Sequence, residues 1–381
     1  MKTQNKFTLG LIVNPISGMG GSVGLKGTDG KKILKKAIKL GAKPNALNRT
    51  KELLNELESI KSKLKFITCP CFMGEFILKE MNFEYEVINH PIFKGYEELI
   101  DTTADHTKTA ANILKKLDEI KLILFTGGDG TARDIQNVIN KEKPCLGIPA
   151  GVKIYSSVFS INPKLASSII IQFLWDEIPL EESEVLDINE DEYRKGKLVS
   201  KLYGYLLTPY NPDYLQLSKV GSPDSDLNNQ ERIAKRIVET LENDVYYLLG
   251  PGTTTKAITD RLNQNKTVLG VDLLLNKKII AQDLNEQQIL THIKGMKTKI
   301  IVSLIGNQGF LFGRGNLQFT PAILNELGPN NIIILSTKFK LQNIPNQILR
   351  LDTRSSKLDE KMKGFYKIIT DYDEIKICSV Q

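Results

Sequence analysis

The sequence predicts an α/β fold with a Rossmann-like parallel sheet and helices in its N-terminal half, plus a second mixed α/β domain rich in β-hairpins. Before Gly151, short apolar runs that fit buried strands alternate with amphipathic runs that fit helices. Such alternation is typical of a parallel sheet. Beyond Gly151 the pattern changes to paired runs separated by short turns, which indicates hairpins.

Apolar and amphipathic periodicity places the elements of the first half. Strands are predicted at residues 7–13, 65–68, 85–88, 122–125 and 145–148. Helices are predicted at residues 31–39, 50–64, 103–117 and 132–139. A domain boundary therefore falls near residue 155, which gives domains of residues 1–155 and 156–381, with a C-terminal tail that can pack back on the first domain.

In the second half, two pairs of runs predict hairpins, and a third segment predicts a strand, a loop and a helix in succession. The hairpins are expected at residues 184–188 with 198–208, and at 268–275 with 278–284. The strand, loop and helix are expected at 245–262. Residues 221–230, rich in Ser, Pro, Asp and Asn, are expected to form a surface loop.

Composition excludes several classes of protein. The net charge of +7, from 51 basic and 44 acidic residues, fits a solubilising surface and only weakly favours an anionic small substrate, so we expect no nucleic-acid partner. Four scattered cysteines are too few for a disulfide framework and indicate a reducing compartment. The nearest approach to a membrane span is residues 169–175, against the roughly 20 apolar residues required. We therefore expect a cytoplasmic protein without membrane contact.

The most specific motif is the glycine loop that follows the predicted strand at 122–125. Gly127, Gly128 and Gly130 carry no side chains, so their backbone N–H groups can approach phosphate oxygens. Asp129 supplies a carboxylate that can face a hydroxyl. Thr131 then leads into a helix whose positive amino end suits a phosphate. The alternative is a turn that only connects strand to helix.

Two further turns follow predicted strands of the first half. The first contains Asn14, Gly18, Gly20 and Gly21, a glycine density that suggests a nucleotide loop, although no P-loop pattern closes it. The second contains Gly151 and Lys153, and Lys153 is either a phosphate-binding cation or an ordinary exposed lysine.

The second half contributes two glycine clusters. Gly252, Thr253 and Thr254 lie between a predicted strand and a helix, where hydroxyls and N–H groups can bind an anion. Helix capping by Thr253 or Thr254 is the alternative. In the later cluster Arg314 and Asn316 are candidate substrate contacts, whereas the aromatic residues at 310 and 312 are expected in the core.

Several of these segments together resemble one superfamily. The Asn-Pro turn at 14–15, the Gly-Gly-Asp-Gly-Thr loop at 127–131 and the Gly-Ile-Pro-Ala-Gly turn at 147–151 resemble parts of NAD kinases, diacylglycerol kinases and related lipid kinases. Over nearly its whole length the chain is similar to the subfamily of predicted polyphosphate- or ATP-dependent NAD kinases. The segments typical of that subfamily are 23–30, 147–153, 250–255 and 306–316.

The resemblance implies phosphoryl transfer from ATP or polyphosphate to NAD, forming NADP, with Mg²⁺ as a further cofactor. Asp129 stands in the place of the family's loop aspartate, where it either orients the acceptor hydroxyl or holds metal. The Asn-Glu pair that binds the nicotinamide-side ribose in NAD kinases has no convincing equivalent here. We expect nucleotide partners and a homo-oligomer. A kinase for another acceptor such as a lipid, and a non-catalytic sensor of a phosphorylated metabolite, remain as alternatives.

Overall fold

The computed structural model describes residues 6–19, 31–151, 154–188, 200–211, 214–215, 224–305, 309–313 and 315–381. These residues form two compact units, one made by residues up to 215 and the other by residues from 224 onward. The first unit thus extends beyond residue 155, where the sequence pattern predicts a boundary. It does so because the hairpin after residue 180 packs on the helix that follows the glycine loop.

The first unit is built on a parallel sheet of five strands and a separate antiparallel hairpin. The sheet strands are β1 (Phe7–Val13), β2 (Leu64–Thr68), β3 (Tyr85–Val87), β4 (Ile120–Gly127) and β5 (Cys145–Pro149). The hairpin strands are β6 (Leu180–Ile188) and β7 (Ser200–Pro209). All seven strands lie where the sequence predicts them, with ends that differ by a few residues.

Helices cover both faces of this sheet. They are α1 (Lys31–Lys39), α2 (Ala46–Glu56), α3 (Glu75–Glu80), α4 (Ala104–Lys115), α5 (Asp129–Ile139) and α6 (Pro163–Leu174). Leu9 and Leu11 of β1 pack in one core with α2 and α6, while Ile12 points to the other face and packs with α4 and α5. The apolar run at 169–175 is therefore largely a buried helix of the core, in which Ile169 and Ile170 are fully buried.

Sheet topology decides where a ligand can bind in this unit. The strand order is β3-β2-β1-β4-β5, so the chain builds outward from β1 in one direction and then from β4 in the other. Binding crevices of doubly wound sheets open at the carboxyl ends of the strands where this order reverses. Here that point lies between the ends of β1 and β4, which lead into Asn14 and Gly128 respectively.

The second unit is built on a mixed sheet of seven strands, with a small parallel pair beside it. The strands of the sheet are β8 (Tyr246–Leu249), β9 (Asp272–Leu275), β10 (Lys278–Ala281), β11 (Thr298–Ser303), β13 (Ile332–Leu335), β15 (Gly364–Ile369) and β16 (Ile375–Val380). Their order in the sheet is β10-β9-β8-β11-β13-β15-β16. The pair is β12 (Phe310–Phe312) and β14 (Arg350–Leu351). Hairpins β9–β10 and β15–β16 flank the three parallel strands β8, β11 and β13, so the expected C-terminal tail is part of this unit's own sheet.

Among the described residues, six α-helices complete the second unit. They are α7 (Asp224–Thr240), α8 (Thr253–Arg261), α9 (Glu286–Ile293), α10 (Pro321–Leu327), α11 (Lys338–Gln342) and α12 (Ser356–Lys361). The predicted surface loop at 221–230 is wrong from residue 224 onward, because Asp224 already belongs to α7. Ser, Asp and Asn are frequent at helix starts as well as in loops. Among the described helices, none has the length and apolar character needed to cross a membrane.

Candidate active site

Three turns of the first unit meet at the carboxyl ends of β1, β4 and β5. The N–H of Asn14 donates to the carbonyl of Thr126 at 2.9 Å, and the N–H of Ala150 donates to the carbonyl of Gly127 at 2.8 Å. Gly151 also directs its N–H to Gly127, at 3.2 Å. Backbone hydrogen bonds therefore hold the turns at 14–18, 127–131 and 149–151 against one another.

Two glycines of these turns are required by the protein's own packing. Gly18 has a φ of +75°, and a Cβ there would lie 1.7 Å from the carbonyl oxygen of Ala150. A Cβ on Gly127 would lie 2.5 Å from the side chain of Thr131. In contrast, a Cβ on Gly130 would meet no atom within 4 Å. Of the loop glycines, Gly130 is thus the one whose bare backbone borders open space.

A side-chain contact joins the first and second turns. The amide nitrogen of Asn14 donates to the hydroxyl of Thr131 at 2.9 Å. The side-chain oxygen of Asn14 is buried and has no hydrogen-bond partner among the described residues. Buried acceptors are usually paired in native proteins. This oxygen is therefore a position where a ligand hydroxyl or amide can donate.

Asp129 is the first residue of α5, and its carboxylate turns inward. Oδ2 accepts a hydrogen bond from the N–H of Tyr155 at 2.8 Å, and Oδ1 accepts one from the N–H of Ser156 at 3.0 Å. The hydroxyl of Ser156 lies 2.6 Å from Oδ1. Only 6% of Asp129 is exposed. The sequence predicts a carboxylate that can face a ligand hydroxyl, whereas in the structure this carboxylate binds a backbone segment 26 residues further along the chain.

The environment of Asp129 favours proton uptake near neutral pH. Burial raises the pKa of Asp129 to about 7, because the loss of hydration outweighs the hydrogen bonds from Ser156 and Tyr155, and the nearby charge of Asp187 raises this pKa further. A carboxylate has about four acceptor positions. Described residues occupy two on Oδ1 and one on Oδ2, so Oδ2 retains capacity for one more donor.

An ion pair flanks this carboxylate. Asp187 of β6 accepts from the guanidinium of Arg133 at 2.9 Å, and Arg133 also lies over the ring of Tyr203, 5.4 Å from its centroid. Both partners are partly exposed. The pair fixes the hairpin β6–β7 against α5, and it partly neutralises the charge of Asp187 beside Asp129.

In the second unit, the turn before α8 has a different construction from the glycine loop of the first. Gly252 is the N-cap of α8 with a φ of 124°, and its N–H donates to the carbonyl of Val268 at 2.9 Å. Thr253 is exposed, whereas Thr254 is buried and its hydroxyl accepts a hydrogen bond from Nζ of Lys340 at 3.1 Å. Neither threonine caps the helix. The capping alternative is therefore wrong, and the N–H of Gly252 is already engaged.

In the later glycine cluster, the side chain of Asn316 forms hydrogen bonds within its own loop. Its side-chain oxygen accepts from the N–H of Gly313 at 3.0 Å, and its amide nitrogen donates to the carbonyl of Leu311 at 2.9 Å. Both ends of the amide thus close its own loop, which argues against the predicted substrate contact. Phe310 and Phe312 are buried, as predicted. Gly20, Gly21, Lys153 and Arg314 lie outside the described residues.

Models of known protein families match both halves of the chain. The model described as the ATP-NAD kinase N-terminal domain matches residues 9–178, and the model described as the ATP-NAD kinase C-terminal domain matches residues 242–380. The chain belongs to the NAD kinase family. It is a transferase, a kinase that acts on NAD. No curated protein matches the chain.

Sequence reasoning misses two residues that contact the candidate sites of this NAD kinase. Ser156 binds the carboxylate of Asp129, and Lys340 binds the hydroxyl of Thr254. In the sequence, Ser156 lies 27 residues from Asp129. Lys340 lies 86 residues from Thr254. No motif connects residues at such separations, because folding alone brings them together.

Proposed function

We propose that this NAD kinase transfers the terminal phosphoryl group of ATP or polyphosphate to a ribose hydroxyl of NAD, with Asp129 as the residue that accepts the hydroxyl's hydrogen bond. The observation that carries the proposal is the remaining acceptor position on Oδ2 of a buried carboxylate whose pKa is about 7. A general base works best when its pKa is close to the working pH. The hydroxyl would donate to Oδ2 and be held for attack.

The phosphates of the donor would lie over the start of α5. Helix starts present backbone N–H groups and a positive dipole end, and both favour phosphate. Gly130, in the first turn of α5, borders open space where a phosphate oxygen can approach the backbone. The unpaired oxygen of Asn14 is at the same edge of the sheet and would accept from a ribose or an amide of the substrate.

Mg²⁺ fits this arrangement as an ion that binds together with the donor's phosphates. Within the described part of the chain, no group of three or more His, Cys, Asp or Glu residues is arranged to hold a metal ion. Enzyme-bound Mg²⁺ commonly keeps several waters and uses one or two carboxylates together with substrate phosphates. Asp129 could supply one oxygen from Oδ2, so its two proposed roles compete for the same acceptor position. Mg²⁺, when bound, would neutralise charge that develops on the transferring phosphoryl group.

The role of Gly130 gives a first prediction. Replacing Gly130 with Ala should leave the stability of the first unit unchanged or raise it by up to about 1 kcal/mol, because Ala fits the open space and favours the helix. The same methyl group should obstruct the donor's phosphates and weaken donor binding by roughly tenfold. Binding is measured by calorimetry, and stability by urea unfolding followed through the fluorescence of Trp175, the chain's one tryptophan.

The matched control is Gly127→Ala in the same loop. A methyl group there meets the side chain of Thr131 at 2.5 Å, so this variant should lose about 1–3 kcal/mol of stability. If a stable Gly130→Ala protein binds the donor with unchanged affinity, the donor's phosphates do not bind beside Gly130.

We also propose that the turn at Gly252, Thr253 and Thr254 contacts an anionic group of a nucleotide. Support comes from the cation that reaches it, since Nζ of Lys340 lies 3.1 Å from the hydroxyl of Thr254.

Replacing Lys340 with Met should weaken binding of either ATP or NAD by roughly tenfold. Lys338→Met is the control, because Lys338 belongs to the same short helix but pairs with Asp371 and Glu374. If Lys340→Met and Lys338→Met bind ATP and NAD with equal affinity, this turn does not bind a nucleotide.

The donor and acceptor are identified by one assay. The protein is incubated with Mg²⁺ and NAD, with either ATP or polyphosphate as donor, and NADP is detected with an NADP-specific dehydrogenase. We expect NADP with at least one donor. NADP from neither donor would overturn the proposal, and a radiolabelled donor would then show whether the phosphoryl group passes to a lipid or another hydroxyl compound. The cytoplasmic location and the homo-oligomer remain predictions.

A further inference from the structure

The sheet of the second unit reverses its strand order between β8 and β11. From β8 the chain first adds β9 and β10 on one side, and it then returns to add β11 and β13 on the other. Strands β8 and β11 are parallel, so their carboxyl ends lie side by side. Binding crevices of open α/β sheets lie at such reversals. The second unit therefore has a crevice position of its own, where β8 leads into the turn at 250–252.

Ser303 is the last residue of β11 and lies at this reversal. Only 3% of Ser303 is exposed. Its hydroxyl forms no hydrogen bond with any part of the chain that the structure describes. The hydroxyl oxygen lies 3.0 Å from the position that a Cβ on Gly252 would occupy, so it faces the N-cap of α8. Because buried hydroxyls are normally paired, this one points to a ligand as its partner.

Gly252 keeps the space in front of Ser303 clear of side-chain atoms. Its φ of 124° lies in a region that favours glycine. A Cβ at Gly252 would also lie 4.0 Å from the hydroxyl oxygen of Thr255. The Thr255 hydroxyl donates to the carbonyl of Gly250 at 2.7 Å, and this bond holds the turn in shape. A ligand atom can thus enter between Ser303 and Thr255 without moving the turn.

Donors suited to phosphate surround this position. The first N–H groups of α8 have no acceptor within the helix, and no side chain caps them. Nζ of Lys340 lies 3.1 Å from the hydroxyl of Thr254 in the same helical turn. Ser303 adds a hydroxyl that is fixed on a strand of the sheet. Backbone N–H groups at a helix start, a hydroxyl and an ammonium group are the usual partners of phosphate oxygens.

We propose that Ser303, the start of α8 and Lys340 form a phosphate-binding site within the second unit, in which the Ser303 hydroxyl donates to a phosphate oxygen. The proposal deepens the contact between this turn and a nucleotide that is proposed above, and it rests on that contact only for the source of the phosphate. A nucleotide and a phosphorylated sugar present the same oxygens. The experiment therefore compares both sources.

The first test uses the unchanged full-length protein with inorganic phosphate as the probe. The backbone amide signals of Thr253, Thr254 and Ser303 are followed by NMR while phosphate is added. We expect the three signals to move together and to saturate with one Kd. The amide of Thr240, where α7 ends before β8 begins, is the internal control and should stay in place. Signals at the start of α8 that do not respond to phosphate would overturn the proposal.

The second test compares Ser303→Ala with Ser336→Ala. Ser303→Ala should weaken phosphate binding at these amide signals by roughly tenfold, and it should unfold at an unchanged urea concentration, because its hydroxyl has no hydrogen bond to lose. Ser336 is also a buried serine at the carboxyl end of a strand of this sheet, but its hydroxyl donates to the carbonyl of Thr337 at 3.0 Å. Ser336→Ala should therefore unfold at lower urea and bind phosphate normally.

The source of the phosphate is identified by repeating the titrations with ATP, NAD and ribose 5-phosphate at the same amide signals. Weaker binding of ATP or NAD in Ser303→Ala supports both this site and the proposed nucleotide contact. If only inorganic phosphate and ribose 5-phosphate bind more weakly, the phosphate site stands and the nucleotide contact of this turn fails. Unchanged affinity for all four ligands in folded Ser303→Ala would refute the phosphate site. Should that variant not fold, the phosphate titration of the unchanged protein still decides.

Discussion

Replacing Asp129 with Asn is expected to lower turnover by at least roughly 100-fold, because the amide cannot take a proton from an acceptor hydroxyl. Binding of NAD and of the donor should change much less, since the glycine turns remain. Initial rates and calorimetric affinities are measured on the same folded preparation. Near-normal turnover in the variant would make Asp129 a structural residue.

The structure adds a stability cost to this substitution. Both oxygens of Asp129 accept backbone N–H groups, from Tyr155 and Ser156. An amide places its NH₂ group against one of those donors and leaves it unpaired, at a cost of about 1–3 kcal/mol. Asp187→Asn is the matched control, because Asp187 is a neighbouring carboxylate whose side chain binds Arg133. It should lose no more than a few-fold in kcat.

A second large effect is expected in the pH dependence of stability. Burial raises the pKa of Asp129 to about 7 in the folded protein. The pKa of an unfolded Asp is about 3.9. The folded state thus binds the proton more tightly, so this group's stabilising contribution is full below about pH 4 and is lost as pH rises through about 7. The loss amounts to about 4 kcal/mol, at about 1.4 kcal/mol for each pH unit.

Urea unfolding of the first unit, followed through Trp175, measures this effect. The difference in unfolding free energy between the unchanged protein and Asp129→Asn should fall by about 1.4 kcal/mol per pH unit between about pH 5 and pH 7. Using the difference removes the contribution of carboxyl groups that both proteins share. A difference that is constant over this range would show that Asp129 is ionised throughout.

The sequence predicts the first unit well because its signals are local. A buried parallel strand is a continuous apolar run, and each glycine turn follows directly at its carboxyl end, so β1 and β4 with their turns are evident. The residues that mark the start of a helix are harder to distinguish from those of a loop. Asp224 and the polar residues after it fit a loop by composition, yet they begin α7.

The second unit and the contacts of the site are less accessible to sequence reasoning. The sequence pattern does not predict strands β11, β13, β15 and β16, whose pairing joins segments far apart in the chain. The same limit applies to Asp129. Its position in the loop is predicted, but the donors that turn its carboxylate inward come from Tyr155 and Ser156, and no sequence spacing specifies that contact.

A single-turnover experiment decides whether the loop at Asp129 carries out phosphoryl transfer to NAD. Excess protein is mixed with NAD, Mg²⁺ and ATP radiolabelled in its terminal phosphate, and the labelled products are separated over time; labelled polyphosphate is used in parallel. We expect label to pass from one donor into NADP, and we expect Asp129→Asn at equal nucleotide occupancy to make NADP at least roughly 100-fold more slowly. Label that stays on both donors, or that reaches NADP equally fast in the variant, would contradict this expectation.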